Sequence, residues 1–515
     1  MHGGAVAAVA VAGFAAALLA PRLFAGMLEG PDGTRWVGAA VAWVGGMATL
    51  WVSVYPLLHR RFGAHEPALA AGVILLFAGL ILFVVSQRLT SGLRFLEPYN
   101  AAMIARAARF ENLYADPSSH PAGTIYGPLL FILCAPAVRL GLSPAVAGRL
   151  VSLAGVIGTC ACVYGCTRRM GGGVRRALWA VALFTATYGI AGKLYDTVAV
   201  DPLLMALLCC ALYFFLGNTE RDDLLALSAS ALACLTKQTA VLALSVVVVG
   251  VLVRRRRART FFPLVLLVAA FGGTLLLSGG SAWDYLVRYP LNHPFRGLPG
   301  GGVPVRLLLL QFPLLVAALA EFSRRRHPRF LCFFVAVFIS SLLGLVKAGG
   351  WINALFPFEP LLCVAAAPTM ARRKILLVGQ LVLGLFNPFA ALYPWSTVRD
   401  VDRAAITLAQ SVEGDVWFPA ATHLYYRLDK QPWDHFAAVD NITWAGREPP
   451  GRLVNALSNR RFDLIILKTD AEKFLRAMHP ALVQALDTNY TRLLRGRLVV
   501  YTPVYYDSLV PGDYA

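Results

Sequence analysis

The sequence predicts an all-α polytopic membrane domain followed by a small C-terminal α/β domain. Three observations carry that expectation. Of 515 residues, 58 % are hydrophobic and only 15 % are charged, whereas soluble domains carry roughly 25 % charged residues. Apolar runs of spanning length recur from residue 4 to residue 393, and a helix needs about 20 such residues to cross a bilayer. The net charge of +19 is carried among those runs: the stretch from Pro394 onward holds 14 basic and 14 acidic residues, and residues 1–393 hold the other 33 basic and 14 acidic ones. A nucleic-acid binder would concentrate such charge on a solvated face, so no nucleic-acid partner is expected. High hydrophobicity also excludes a disordered chain.

The apolar runs are 4–25, 36–58, 68–88, 145–167, 177–193, 201–217, 261–279, 303–321, 330–347, 355–369 and 374–393. The first lacks the basic n-region of a cleaved signal and reads as a retained span. Residues 223–253 are too long for one span and are broken by Thr236-Lys237-Gln238-Thr239, which makes two short helices meeting at one membrane face. The run 126–142 is short and carries Pro128 and Pro136. If it does not span, the basic clusters at 60–61, 168–176, 254–259, 324–329 and 372–374 all fall on one side, as the positive-inside rule asks. It is therefore expected to be re-entrant or juxtamembrane. About 13 spans follow, with the N-terminus cytoplasmic and the C-terminus periplasmic or extracellular, in a plasma (inner) membrane.

Residues 1–393 then form a transmembrane domain whose chemistry sits in outer-face loops at 89–144, 193–201 and 280–302. Residues 394–515 form a soluble domain. Its strands are expected at 462–467 and 497–501, from β-branched apolar runs, and its helices near 401–411, 450–459 and 471–487. All nine cysteines lie before residue 394. None has a second pair or histidine at zinc spacing, so buried inert thiols are expected.

Ionisable groups at membrane depth are costly and mark function. Glu97, in Leu96-Glu97-Pro98-Tyr99-Asn100, follows the third span and opens an amphipathic stretch, 101–110, expected on the membrane surface. Lys193, Tyr195, Asp196 and Asp201 crowd one outer turn. Asp201 precedes Pro202, so helix capping is an alternative role, and the two aspartates also suit a divalent cation. Arg149 and Lys237 need anionic partners, either an aspartate or a phosphate. Lys347-Ala-Gly-Gly-Trp351-Ile-Asn353 leads to Glu359, with Gly-Gly allowing close backbone approach. Between Tyr114 and Leu129 a loop dense in Pro, Tyr and His, including His120 and Tyr126, reads as a covered groove.

In order, these motifs are the acid after an early span and the Tyr-rich loop, then Arg149-Leu150-x-Ser152. Tyr195-Asp196…Asp201-Pro202-Leu203, Leu235-Thr236-Lys237-Gln238 and Lys347-x-Gly-Gly-x-x-Asn353 follow. Over roughly 86–370 this order resembles the bacterial GT-C glycosyltransferases, similar to lipid A aminoarabinose transferase and the protein O-mannosyltransferases. The resemblance implies inverting transfer of a sugar from a polyprenyl-phosphate donor to an envelope glycan, lipid or protein acceptor on the outer face. It implies Glu97, Asp196 and Asp201 as catalytic acids, with Glu97 the base where relatives commonly carry Asp. It places Arg149, Lys193, Lys237 and Lys347 at the donor phosphate. Tyr99, Asn100, His120, Tyr126, Tyr195, Gln238 and Asn353 would line the substrate groove. The rival readings are a lipid or glycolipid transporter or flippase, and a lipid-linked glycan polymerase or ligase.

Overall fold

A computed structural model of the chain describes residues 66–89, 93, 96–254, 256–295, 310–324, 327–385, 396–495 and 498–504. The expected spans 4–25 and 36–58 lie outside them. The described part of 1–393 is helical. Its long helices are α1 (Glu66–Leu89), α4 (Pro144–Arg169), α5 (Val174–Ile190), α6 (Asp201–Phe215), α7 (Glu220–Thr236), α8 (Val241–Val253), α9 (Phe262–Leu277), α10 (Phe312–Arg324), α11 (Pro328–Val346), α12 (Phe358–Arg372) and α13 (Lys374–Leu385). Among the described residues, Pro144–Arg169, Ala258–Leu277 and Pro328–Val346 are long and apolar enough to cross a membrane on length and composition. The α9 face is mostly uncovered, with Val265, Val268, Leu276 and Leu277 exposed, as lipid-facing side chains would be.

The break at Thr236-Lys237-Gln238-Thr239 falls where expected. α7 ends at Thr236, a 3₁₀ turn covers Gln238–Ala240, and α8 follows. The run 126–142 becomes α3 (Leu129–Arg139). Eleven residues rise only about 16 Å, half a hydrocarbon core.

Short loops make successive helices antiparallel, so their ends sort into two sets. At one end the arginines meet carboxylates. Arg169 pairs with Asp222 at 2.9 Å, Arg256 with Asp223 at 2.6 Å and Arg259 with Glu220 at 3.1 Å. Arg254 also pairs with Asp223, and Lys374 with Glu66. The other end carries the remaining polar chemistry. There the helix α2 (Glu97–Ala108) is buried from Glu97 through Arg106. That corrects the expected surface placement: α2 lies between the bundle and the C-terminal domain, which supplies the second apolar cover that an amphipathic sequence alone does not reveal.

The C-terminal part begins with α14 (Ser396–Gln410) and folds around a four-stranded sheet in the order β1-β2-β4-β3. The strands are β1 (Asp415–Trp417), β2 (Phe462–Lys468), β3 (Tyr490–Arg495) and β4 (Leu498–Pro503). β1 pairs with β2 in parallel, and β4 pairs antiparallel with both β2 and β3. β2 and β4 are the two strands expected from sequence. Between β1 and β2 lie α15 (His423–Leu428), α16 (Phe436–Trp444) and α17 (Gly451–Ser458), and between β2 and β3 lie α18 (Thr469–Met478) and α19 (Pro480–Asn489). The single helix expected at 471–487 is two, because Pro480 cannot continue α18 and instead opens α19. All nine cysteines are free; Cys134, Cys166, Cys209 and Cys363 are buried, but Cys332 is exposed on the bundle surface.

Candidate functional site at the polar end of the bundle

Glu97 is buried. Its carboxylate is gripped by the Arg149 guanidinium, with Nε to Oε1 at 3.0 Å and Nη2 to Oε2 at 3.1 Å. The Val198 amide donates to Oε1 at 3.0 Å. Arg149 and Glu97 are 3 % and 4 % exposed. Such a pair holds only with good geometry and further hydrogen bonds, both present here. The arginine stands one turn into α4, where Ser143 caps the helix by accepting the Val146 amide at 3.3 Å.

The turn 191–200, at the polar end of the bundle, is laced to its neighbours. Asn100 Nδ2 donates to the Val198 carbonyl at 2.8 Å, and Ser152 Oγ donates to the Thr197 carbonyl at 2.6 Å. The Tyr188 hydroxyl donates to Asp196 Oδ1 at 2.8 Å. Lys193 takes a left-handed φ of 58° as the chain leaves α5. Tyr195 is buried, within 2.8 Å of Thr187 Oγ1, and its hydroxyl donates to Glu359. Gln311 also donates to Glu359, at 2.6 Å. Glu359 and Gln311 are the residues that the sequence argument left without a role. The available signal was a carboxylate in an apolar helix.

Asp201 does not cap its own helix: α6 has no side-chain cap. Its carboxylate instead accepts Lys237 Nζ at 2.8 Å and Asn353 Nδ2 at 2.6 Å. Three separated segments therefore meet on one carboxylate. The Lys237 ammonium takes the place against Asp201 that a cation would need, and among the described residues no group of three His, Cys, Asp or Glu is arranged for a metal. Lys237 borders a narrow cleft between α6, α8 and α11, lined mostly by apolar residues such as Leu204, Leu208, Ala243 and Val337, with Thr239, Ser340 and Ser341 among them.

A strap, residues 113–127, crosses above this cluster. Gln238 Nε2 donates to the Ile125 carbonyl at 3.1 Å, Lys237 Nζ lies 5.6 Å from the Tyr126 ring centre, and the Gly127 amide donates to Thr236 at 3.1 Å. The Tyr99 hydroxyl donates to the Gly123 carbonyl at 2.7 Å. His120 sits apart on an exposed turn beside Ser119 Oγ, at 2.9 Å. Lys347 Nζ donates to the carbonyls of Pro290 and Leu291 at 2.7 and 3.2 Å, so it ties down the segment 281–295.

The fold is similar to that of a solved membrane transferase, ArnT. The crystal structure of ArnT from Cupriavidus metallidurans bound to undecaprenyl phosphate superposes with a TM-score of 0.57 at 16 % identity, covering 85 % of this chain and 99 % of that one. Its apo form gives 0.55 at 15 % identity over the same shares. A family model described as dolichyl-phosphate-mannose-protein mannosyltransferase matches residues 119–278. No curated protein matches. The GT-C resemblance noted from residue order thus holds in the matched segment and in the fold. Three of the described helices are long and apolar enough to cross a membrane. The matched segment contains Arg149, Asp196, Asp201 and Lys237; Glu97 and Asn353 lie outside it.

Proposed function

We propose that the chain is an integral membrane glycosyltransferase that moves a sugar from a polyprenyl-phosphate donor to an envelope glycan, lipid or protein, with inversion, at the outer face of the membrane. The observation that carries this reading is the Lys237 cluster. One ammonium borders a mostly apolar cleft, beside a carboxylate and an amide. A phosphate joined to a long hydrocarbon chain satisfies both parts of such a site. The solved ArnT structure is bound to undecaprenyl phosphate, a ligand of that shape.

In this mechanism Lys237 and Arg149 neutralise the departing lipid phosphate, which is where charge develops. Both are stored as ion pairs with carboxylates. Arrival of the phosphate competes for Arg149 and loosens its hold on Glu97. The freed carboxylate then takes the proton of the acceptor hydroxyl, a contribution of about 10²–10⁴-fold. Donor binding thereby releases the base. Asp201 remains positioned by Asn353, and Asp196 by Tyr188.

The orientation belongs to the same reading. The arginine-rich end is cytoplasmic, the polar end and residues 394–515 are periplasmic or extracellular, and the chain crosses about 13 times. Purified protein incubated with a panel of polyprenyl-phosphate sugars should release polyprenyl phosphate, and Lys237→Met should abolish that release. A wild-type protein that neither binds nor cleaves any of the panel sinks the proposal. Movement of intact lipid without release would favour the transporter reading.

A further inference from the structure

The C-terminal domain touches the polar end of the bundle at several points. Thr422 Oγ1 donates to the Pro98 carbonyl at 3.4 Å, and His293 Nε2 lies 3.1 Å from the Asn441 carbonyl. The Trp444 ring fills the space over Gly349, where a Cβ would come within 2.5 Å of it; this is the close approach that the Gly-Gly pair permits. Ala438 and Ile442 share a core with Tyr99, Tyr285 and Tyr289.

One contact differs in kind. Asp434 is fully buried, and its Oδ1 accepts the Ala122 amide at 2.7 Å. Its Oδ2 accepts Arg452 Nη2 at 3.2 Å, and that guanidinium stacks 4.2 Å from the Trp433 ring centre. A carboxylate buried at a contact between two parts of a chain costs several kcal/mol unless it is paired; Arg452 pairs with Oδ2, and Oδ1 serves a backbone amide of the strap. Ala122 is also the anchor point of everything downstream. The next amide, Gly123, donates to the Tyr285 hydroxyl at 2.8 Å, and its carbonyl accepts Tyr99. Three and four residues further on, Ile125 and Tyr126 meet Gln238 and Lys237.

We infer that Asp434 is a positioning residue: through the Ala122 amide, the C-terminal domain holds the strap 113–127 over the Asp201–Lys237–Asn353 cluster. The inference deepens the proposed function and rests on that reading for its catalytic consequence. Its structural half stands alone. Loss of the Asp434 carboxylate removes the acceptor of the Ala122 amide and leaves the residue held through its carbonyl by Arg106 Nη1 at 3.4 Å; the loosening reaches Tyr126 within four residues, because no helix or strand interrupts the path. The C-terminal domain is then part of the transfer apparatus and not a separate appendage.

Two measurements on the full-length protein in detergent test this. The first is amide hydrogen exchange across 113–130 in the wild type, Asp434→Ala and Asp434→Asn. Asp434→Ala should speed exchange at Ala122 and also at Gly123 and Gly127, by at least ~10-fold where local opening dominates. Asp434→Asn keeps an acceptor for the amide and should stay within a few fold of wild type. Faster exchange confined to Ala122, or equal effects of Ala and Asn, overturns the inference. No substrate enters this arm, so it is readable even if every polyprenyl-phosphate sugar fails. The second is steady-state transfer. Asp434→Ala should lower kcat by roughly 10-fold or more with donor KM little changed, since misplacement by about 1 Å is enough for such a loss, and Asp434→Asn should restore most of it. An unchanged kcat, or a loss entirely in KM, overturns the catalytic half.

Discussion

The Glu97–Arg149 pair sets the terms at the residue scale. Two buried charges that satisfy each other are neutral in sum, but removing one strands the other, at about 3–5 kcal/mol. Glu97→Gln is therefore expected to lower thermal stability as well as transfer. Glu97→Gln with Arg149→Met should recover stability, measured by thermal unfolding, while transfer stays at background. Recovery of transfer in the double variant would remove Glu97 as base. Asp201→Asn makes a complementary case. The amide keeps a hydrogen bond to Asn353 but loses the charge facing Lys237. Donor binding should then survive better than in Lys237→Met, which a titration with polyprenyl phosphate would read. The sequence made each of these four residues a candidate because charge in an apolar context is costly. It could not say which acid holds which base: Asp201 is 36 positions from Lys237 and Glu97 is 52 from Arg149.

At the scale of elements the strap and α2 behave differently from their sequence reading. α2 is amphipathic, and an isolated amphipathic helix suits a membrane surface. Its polar side chains are instead covered, with Asn100 and Arg106 buried and Tyr99 tilted against His435 at 5.4 Å. The strap has no regular hydrogen-bond ladder and depends on single contacts. Gly127 is the tightest of them: a Cβ there would lie 2.0 Å from the Leu235 carbonyl oxygen, which is backbone and cannot swing aside. Gly127→Ala should push the strap off α7, costing about 1–3 kcal/mol as overpacking does. Faster exchange at Gly127 with bundle helices unchanged would confirm it; an unshifted protein would show that the strap is looser than its contacts indicate. The elements legible from sequence were those with a long period: the apolar helices, the break at Lys237, and β2 and β4. β1 and β3 were not legible. β1 has only three residues, and β3 reads Tyr-Thr-Arg-Leu-Leu-Arg, with too little alternation to declare a face.

For the whole molecule, docking of the C-terminal domain carries a pH dependence. Burial pushes the His435 imidazole down from its usual 6.5 to about 3. The folded protein thus keeps it neutral where the unfolded chain is protonated. Above pH 6.5 neither state binds the proton and the group has no effect. Below it the unfolded state binds more protons, so stability falls as pH drops from 6.5 toward 3. His435 alone should cost ~2 kcal/mol at pH 5. Thermal unfolding at pH 7 and pH 5 should show a smaller loss in His435→Phe than in wild type. An equal loss would assign the acid sensitivity elsewhere. Orientation is testable at the same scale: a cysteine at exposed Gly173, in a cysteine-free background, should be labelled only from the cytoplasm. By itself the sequence pointed to a largely helical, apolar chain ending in a small sheet-bearing part, and to the few charges that fall outside the basic clusters. Hydropathy and charge placement are local sums, so they survive without knowledge of the fold. Only tertiary structure decided that Glu97 belongs to Arg149, that Asp201 joins Lys237 to Asn353, and that the tail grips the strap through Asp434. Each of those contacts joins residues far apart in sequence, and pairing across such distances is fixed by packing, on which local pattern is silent.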